Sequence, residues 1–300
     1  MKRRFVTLDV FTSRPHAGNP LAVVLDADGL DTAGMQAIAR EFNLSETVFV
    51  QPPQEAGHRA RVRIFTPGKE LPFAGHPTIG TAVLLATRDA AEGEAAELLV
   101  LEEVVGPVSC AVAVTDPRAG RAVFTLPVLP TEIDKTGALA LLAGALGLEK
   151  REIGFGVHEP GVFSAGLGFT FIPVCTLAAL QRIRIDSGLW AQAIKPADNA
   201  AAFAYCRETV EAGHHYHARM FAPAMGIGED PATGSAVAAF AGAIMRFDRP
   251  GDGEHRFVIE QGYEMGRPSQ IVLELTVAGG ALVSARIGGS AVVVSEGVLL

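Results

Sequence analysis

The sequence has 300 residues, and its 49% hydrophobic and 19% charged residues are typical of a folded protein with a sizeable core. The net charge is −8 and the 25 lysines and arginines are scattered, which excludes the positively charged surface that nucleic-acid binding requires. The longest apolar runs, residues 137–148 and 236–245, are too short to span a membrane. We therefore expect a cytoplasmic protein with no nucleic-acid or membrane partner.

Alternating or β-branched segments predict strands, and apolar residues on one helical face predict helices. The predicted strands are residues 5–10, 21–25, 47–50, 59–65, 98–101, 108–114, 122–126, 168–174, 201–207, 214–221, 257–260, 271–277, 282–287 and 292–299. The predicted helices are residues 32–42, 79–87, 136–146, 186–193 and 235–245. Many strands with few helices favour an α+β fold with mostly antiparallel sheets.

Two of the predicted helices, residues 79–87 and 235–245, carry small apolar side chains on nearly every side. A helix without a polar face must be buried all round. We therefore expect each of them inside a curved sheet.

The segments that lead into these two helices are alike. Phe65 and Phe221 each begin a Phe-x-Pro motif, which is followed by a loop with an acidic residue, a glycine and the helix. Self-similarity at such a long spacing indicates two related halves and not a short-period repeat. The sequence predicts these halves as residues 1–129 and 130–287, because Pro130 interrupts the pattern at the boundary.

The starts of the two helices are candidate anion-binding positions. The first turn of a helix has unpaired N–H groups and a partial positive charge, and Gly75 and Gly234 allow a ligand to approach the backbone. His76 and Ser235 follow these glycines, and Asp230 lies just before the second helix. Each residue alone could be an ordinary cap or turn residue. Their occurrence in both halves favours a shared site for a small anionic substrate such as a carboxylate.

Glu46 is the candidate acid–base residue. It lies between the predicted helix at 32–42 and the apolar strand at 47–50. A carboxylate at the start of an apolar strand is partly removed from water, which raises its pKa toward the range useful for proton transfer. From this segment alone, a solvated carboxylate in a turn is the simpler interpretation.

The run 214–217 contains three histidines, of which His215 and His217 would share one face of a strand. Zinc requires a third and usually a fourth ligand, and no partner cluster is evident, so we predict no metal site. No phosphate-loop or dinucleotide-binding glycine motif is present, so nucleotide binding is not predicted. Turn positions are predicted at Gly161, Gly166 and Gly168.

Several longer motifs occur in a fixed order along the chain. They are Asp9-Val10-Phe11, Gly18-Asn19-Pro20-Leu21, Asn43-Leu44-Ser45-Glu46-Thr47, Arg63-Ile64-Phe65-Thr66-Pro67, Gly75-His76-Pro77-Thr78, Arg219-Met220-Phe221-Ala222-Pro223, Glu229-Asp230-Pro231-Ala232-Thr233-Gly234-Ser235 and Gln261-Gly262. Together they resemble the PhzF family of phenazine biosynthesis-like proteins, within the diaminopimelate epimerase-like fold. The resemblance implies two similar domains, each a curved, mostly antiparallel sheet around a central helix. It also implies that residues 288–300 return to the first domain and that the active-site cleft lies between the two.

The resemblance implies an isomerase that uses neither a metal nor an organic cofactor. In the family, a carboxylate moves a proton between carbons of a dihydro-hydroxyanthranilate, and Glu46 matches that carboxylate. The other matching positions are the catalytic residues His76, Asp230 and Ser235 and the substrate-binding residues Asn19, Gly75 and Gly234. A homodimer is the common assembly of the family and is expected here.

Two other functions are compatible with the sequence. A cofactor-free amino-acid epimerase of this fold would use two facing cysteines, but the matching stretches 74–76 and 232–234 contain no thiol. A two-base variant that pairs Glu46 with an aspartate or histidine remains open. A binding protein that keeps the fold without the activity is the third alternative.

Overall fold

The structure, a computed structural model, describes residues 2–91, 93, 97–134, 136–194 and 201–300. The chain divides into two compact units. Unit 1 contains the chain up to Thr125 together with Gly288–Leu300, and unit 2 is Leu126–Ile287. Helices and strands are mixed in both units. No helix among the described residues is both long and apolar enough to cross a membrane.

Unit 1 is built from strands and two helices. In chain order they are β1 (Arg3–Val10), β2 (Asn19–Val24), α1 (Thr32–Phe42), β3 (Glu46–Gln51), β4 (Ala60–Phe65), β5 (Glu70–Leu71), α2 (Gly75–Ala91), β6 (Leu98–Glu103), β7 (Gly106–Asp116) and β8 (Ala119–Thr125). The helix α1 has the predicted bounds because the Asp31 side chain accepts a hydrogen bond from the Gly34 N–H at its start. At its end, Asn43 adopts the left-handed conformation that terminates many helices.

Unit 2 contains more helices, most of them short. Its elements are β9 (Thr131–Asp134), α3 (Leu139–Ala145), β10 (Gly161–Ser164), β11 (Gly168–Pro173), α4 (Leu177–Gln181), α5 (Ser187–Ala193), β12 (Ala202–Cys206), β13 (Tyr216–Ala222), β14 (Ile227–Asp230), α6 (Gly234–Phe247), β15 (Gly253–Gln261) and β16 (Ser269–Ala278). The last strand, β17 (Ala281–Leu299), begins in unit 2 and ends in unit 1, where it pairs with β1.

The prediction of separate strands at 282–287 and 292–299 is wrong, because β17 is one continuous strand. The residues between them include Gly288 and Gly289, which suggested a break. Both glycines are required by packing: a Cβ atom on Gly288 would lie 2.6 Å from Val123 Cγ2, and one on Gly289 would overlap the Phe11 ring. The turn prediction for Gly161 is also wrong, since this residue begins β10. Gly168 begins β11, which agrees with the strand predicted at 168–174 and not with the turn.

Strand pairing follows the same order in both units. In unit 1, β1–β2 is antiparallel, β2–β3 parallel, β3–β4 and β4–β5 antiparallel, β4–β6 parallel and β6–β7 antiparallel. In unit 2, the pairs β10–β11, β11–β12, β12–β13, β13–β14, β13–β15 and β15–β16 repeat this series. Each strand of one series therefore has a counterpart in the other, so that β3 corresponds to β12 and β6 to β15.

A side-chain arrangement recurs with the strands. In β4, Arg63 forms a bidentate ion pair with Glu70 of β5, and its guanidinium lies 5.2 Å from the centre of the Phe65 ring. In β13, Arg219 pairs in the same way with Glu229 of β14 and lies 4.9 Å from the Phe221 ring centre. Bidentate arginine–carboxylate pairs fix geometry, so each pair holds the loop before the central helix against the sheet.

The two central helices are buried, which confirms the prediction from their apolar composition. Residues 75–87 of α2 are all buried, and the helix packs on β1, β2, β3, β6, β7 and β8. The helix α6 packs on β9, β10, β11 and β16 and buries most of its side chains. Its Phe240 ring contacts the rings of Phe171, Phe203, Tyr205 and Tyr216.

Candidate active site

Glu46 is placed by the end of α1 and the start of β3. The left-handed residue Asn43 ends α1, and β3 then begins with Glu46, which pairs in parallel with Leu21 of β2. Asn19, the first residue of β2, is fully buried and lies two residues before Leu21. Parallel neighbours begin at the same sheet edge, so Asn19 and Glu46 lie at one edge of unit 1.

His76, the second residue of α2, lies next to Glu46. Its Nε2 atom is 3.4 Å from Glu46 Oε2, and the two side chains are 5% and 15% exposed. Burial lowers the pKa of His76 to about 3, so its imidazole is neutral near pH 7. The carboxylate therefore faces a neutral hydrogen-bonding group and not a cation.

Gly80 allows α2 to approach the sheet at this point. A Cβ atom on Gly80 would lie 2.6 Å from Leu21 Cδ2 and 2.7 Å from Val10 Cγ2. Only a residue without a side chain fits there, and Leu21 is the residue that pairs with Glu46. Close packing of the helix on β1 and β2 therefore brings its first turn, with Gly75 and His76, toward the start of β3.

A buried carboxyl group lies on the other side of the first turn of α2. Glu103, the last residue of β6, has its Oε1 atom 2.7 Å from Thr78 Oγ1. Burial raises the pKa of Glu103 to about 8, although the contact with Thr78 acts in the opposite direction. Sequence reasoning missed this residue. The available signal was its position at the end of an apolar strand, whereas Glu46 lies at the start of one.

The candidate residues of unit 2 cluster between β14 and α6. Asp230 ends β14 and is 6% exposed, and the Thr233 hydroxyl donates to its Oδ2 atom at 2.5 Å. Gly234 begins α6 and is buried, and Ser235 follows it and is partly buried. Thr233 belongs to the motif at 229–235, but the motif alone indicates no role for it. Its contact with Asp230 makes it part of this cluster.

The histidine run forms contacts with two glutamates. His214 Nδ1 and His217 Nδ1 lie 2.7 and 2.8 Å from the two carboxylate oxygens of Glu260, and His217 Nε2 lies 3.0 Å from Glu264 Oε1. Burial alone would lower the pKa of His217, but the hydrogen bonds to both carboxylates outweigh it and raise the pKa. Each ring nitrogen of His217 thus faces a carboxylate oxygen, one from Glu260 and one from Glu264. Among the described residues, no group of three His, Cys, Asp or Glu side chains is arranged to hold a metal ion.

None of the three cysteines belongs to the residues that begin α2 or α6. Cys110 and Cys206 are buried, and burial raises the pKa of each thiol to about 12. Cys175 is exposed. A buried thiol with so high a pKa holds almost no thiolate near pH 7, so it is a poor base.

A cavity of about 500 Å³ in unit 1 lies at the far end of β3 from Glu46. Its lining includes Leu25, Asp26, Val50, Gln51 and Arg59 but none of the candidate residues. The structure therefore brings Glu46 and His76 into contact in unit 1, with Asn19 at the same sheet edge. Separately, it gathers Asp230, Gly234 and Ser235 in unit 2.

Comparison with known proteins shows which family and folds this chain is similar to. The family model for the phenazine biosynthesis-like protein PhzC-PhzF matches residues 8–297. An uncharacterized isomerase of Mesorhizobium japonicum is 54% identical over 99% of this chain and 98% of its own length. A trans-2,3-dihydro-3-hydroxyanthranilate isomerase of Pseudomonas aeruginosa is 37% identical over 98% of both chains. The crystal structure of a PhzF family protein of Bacillus anthracis covers 100% of this chain and 99% of that one, with a TM-score of 0.88 and 28% identity.

Proposed function

Because the chain belongs to the PhzF family of phenazine biosynthesis-like proteins, we propose that it is an isomerase of a small carboxylate-bearing metabolite, with Glu46 as its acid–base residue. The proposal includes proton transfer without a metal or organic cofactor. The observation that carries it is the contact between Glu46 Oε2 and the neutral, buried imidazole of His76 at 3.4 Å. A carboxylate beside a neutral imidazole stays available as a base, whereas an ion pair with a cation would lower its basicity.

The contact favours transfer on one face of the substrate. Stereoinversion by two bases needs one base on each side of the reacting carbon, whereas Glu46 and His76 touch each other and leave no space for a carbon between them. A proton that leaves and returns on the same face shifts a double bond without inversion. The buried cysteines, whose pKa is raised to about 12, also disfavour a two-thiol racemisation.

We assign the remaining candidates to the same reaction. Asp230 and Ser235 are proposed to support the proton transfer, and Asn19, Gly75 and Gly234 to bind the substrate. Gly75 and Gly234 are the first residues of α2 and α6, whose backbone N–H groups are suited to a carboxylate. The P. aeruginosa relative acts, by its name, on trans-2,3-dihydro-3-hydroxyanthranilate, so this compound is the first substrate to test.

The test is the Glu46→Gln variant, which keeps the shape of the side chain and removes the base. We expect turnover of trans-2,3-dihydro-3-hydroxyanthranilate to fall by about 10²–10⁴-fold. Glu41→Gln is the matched control, because Glu41 is an exposed residue of α1 five positions away. NMR in D₂O locates the deuterium and shows whether the double bond has moved.

Wild-type turnover by Glu46→Gln would refute the assignment. Exchange at Cα of amino acids with stereoinversion would favour the epimerase alternative. Binding of the compound without any exchange would favour a non-catalytic binding protein.

A further inference from the structure

The two units place a side chain under the first turn of their central helices in the same way. The strand β6 of unit 1 corresponds to β15 of unit 2, since each pairs in parallel with the strand that carries the Arg–Phe motif. The last residue of β6 is Glu103, and the last residue of β15 is Gln261. Both side chains are buried and reach residues at the start of α2 or α6.

In unit 2, the side-chain oxygen and nitrogen of Gln261 both form hydrogen bonds with the turn that carries Asp230. Its Oε1 atom accepts the N–H of Thr233 at 3.1 Å, and its Nε2 group donates to the Asp230 carbonyl at 2.7 Å. The same Nε2 group donates to Thr233 Oγ1 at 2.9 Å, and that hydroxyl donates to the Asp230 carboxylate at 2.5 Å. A continuous chain of hydrogen bonds therefore runs from the Gln261 amide to the Asp230 carboxylate.

Backbone packing holds the end of β15 close to the turn that carries Asp230. The next residue, Gly262, has a φ of +79°, and a Cβ atom there would lie 2.5 Å from the Pro231 carbonyl oxygen. The end of β15 thus lies directly against the backbone between Asp230 and Thr233. Gln261 has little freedom to choose other partners, because it is fully buried.

In unit 1, Glu103 contacts Thr78 inside the first turn of α2, whereas Gln261 contacts residues just before α6. Thr78 Oγ1 lies 2.8 Å from the Ala74 carbonyl oxygen and 2.7 Å from Glu103 Oε1. A hydroxyl has one proton and can donate to only one of these oxygens. The second proton is supplied by a protonated Glu103 carboxyl, which is close in shape to the glutamine amide of unit 2.

We propose that Gln261 and Glu103 are positioning residues, one in each unit, that hold the helix starts bearing Asp230 and His76. The inference rests on the proposed function for the catalytic role of those two residues. Gln261 acts through Thr233 on the carboxylate of Asp230. Glu103 acts through Thr78 on the first turn of α2, two residues after His76.

The first experiment breaks the chain of hydrogen bonds in unit 2. Gln261→Met and Thr233→Val keep side-chain volume and remove the polar contacts. A displacement of about 1 Å of a catalytic group can cost about 100-fold, so we expect kcat to fall by about 10–100-fold with KM nearly unchanged. Thr233→Ser restores the hydroxyl and should recover most of the loss. Gln192→Met makes the same substitution at an exposed position of α5 and serves as the control.

The second experiment exchanges the two residues. Glu103→Gln replaces a neutral carboxyl by an amide and should recover the activity that Glu103→Leu loses. Gln261→Glu removes both N–H donors and adds an acid beside Asp230, so it should be at least as damaging as Gln261→Met. If Gln261→Glu kept the wild-type kcat, the positioning role would be refuted.

A double-mutant cycle separates positioning from general stability. In an Asp230→Asn background, Gln261→Met should cost little further turnover, because the group it positions is already lost. An equal loss in both backgrounds would show a purely structural role. Wild-type turnover by Asp230→Asn itself would refute the proposed role of Asp230 and leave the geometric claim to be decided separately.

Crystal structures decide the geometric claim without any substrate. We expect the Asp230 carboxylate to move by about 1 Å in Gln261→Met and Thr233→Val, which is the displacement that the loss of kcat requires. An unmoved carboxylate in both variants would overturn the inference, whatever compound the enzyme proves to convert.

Discussion

His76 and Glu103 are two buried titratable residues on opposite sides of the same helix turn, and both are held in their neutral forms. Burial lowers the pKa of His76 from 6.5 to about 3 and raises that of Glu103 from 4.5 to about 8. Neutrality matters for Glu46, because a charged imidazolium 3.4 Å away would hold its carboxylate in an ion pair. The same burial makes the stability of unit 1 depend on pH in two opposite directions.

Acidification should destabilise the protein through His76. The pKa of His76 is lower in the folded state than in the unfolded state. Its contribution to the free energy of unfolding is therefore present above about pH 6.5 and is lost as the pH falls toward 3. The expected slope is about 1.4 kcal/mol per pH unit in the free energy of unfolding. Urea unfolding should show that the free energy of unfolding falls less between pH 7 and pH 5 in His76→Asn than in the wild type. An equal fall in the free energy of unfolding for both proteins would contradict a lowered pKa of His76 in the folded state.

Glu103 should act in the alkaline direction. The pKa of Glu103 is raised in the folded state. Its contribution to the free energy of unfolding is therefore fully present below about pH 4.5 and is lost as the pH rises to about 8. Glu103→Gln cannot ionise and should lose less stability than the wild type between pH 6 and pH 8. Glu102→Gln is a suitable control, because the neighbouring Glu102 has a lowered pKa, owing first to its hydrogen bond from the Gln54 backbone. If the free energy of unfolding of Glu103→Gln fell as steeply between pH 6 and pH 8 as that of the wild type, a protonated Glu103 would be contradicted.

Among the elements, α6 depends on aromatic packing more than α2 does. Phe240 is fully buried, with ring centres 4.6 Å from Tyr205 and 4.8 Å from Tyr216. Phe240→Ala leaves a cavity among these rings, and we expect a loss of about 3–5 kcal/mol in the free energy of unfolding. Val283→Ala, at a side chain that is 53% exposed, should change it by less than about 0.5 kcal/mol. A similar small loss for both variants would mean that the aromatic cluster rearranges to fill the cavity.

Long, well-marked elements could be predicted from the sequence, whereas short ones could not. The helix α1 has the bounds that its helical periodicity predicts, and Asp31 and Asn43 cap its ends in the structure. The strand β5 has two residues, and a pattern of that length has no measurable period. The strand β17 was divided in two because glycines normally weaken strands, and the packing that requires Gly289 involves Phe11, far away in the chain.

The candidate site shows the same limit at the level of side chains. Glu46 and His76 were selected separately from their motifs, but their contact depends on how α2 packs on β2 at Gly80. The pairing of Gln261 with Thr233 joins residues 28 positions apart. Nothing in the local sequence of either residue indicates a partner at that distance, so this contact could only come from the structure.

At the scale of the whole molecule, a repeated architecture carries different chemistry in its two copies. The first residue of β3 is Glu46, whereas the first residue of its counterpart β12 is Ala202. The second residue of α2 is His76, and that of α6 is Ser235. Unit 2 therefore has no carboxylate at the position of the proposed base. The scaffold is duplicated but the proposed acid–base function is not, which fits a single proton-transferring carboxylate per chain.

The strand β17 has a consequence for how the protein is made. Arg3 pairs with Leu299 and Val10 with Ala291, so β1 leaves the ribosome well before the strand that becomes its partner. Until then, β1 has an unsatisfied edge along which a foreign strand could bind. The intervening chain, including all of unit 2, must be synthesised first, and closure of so long a loop is slow. We therefore expect nascent unit 1 to keep this edge of β1 open until β17 has been synthesised.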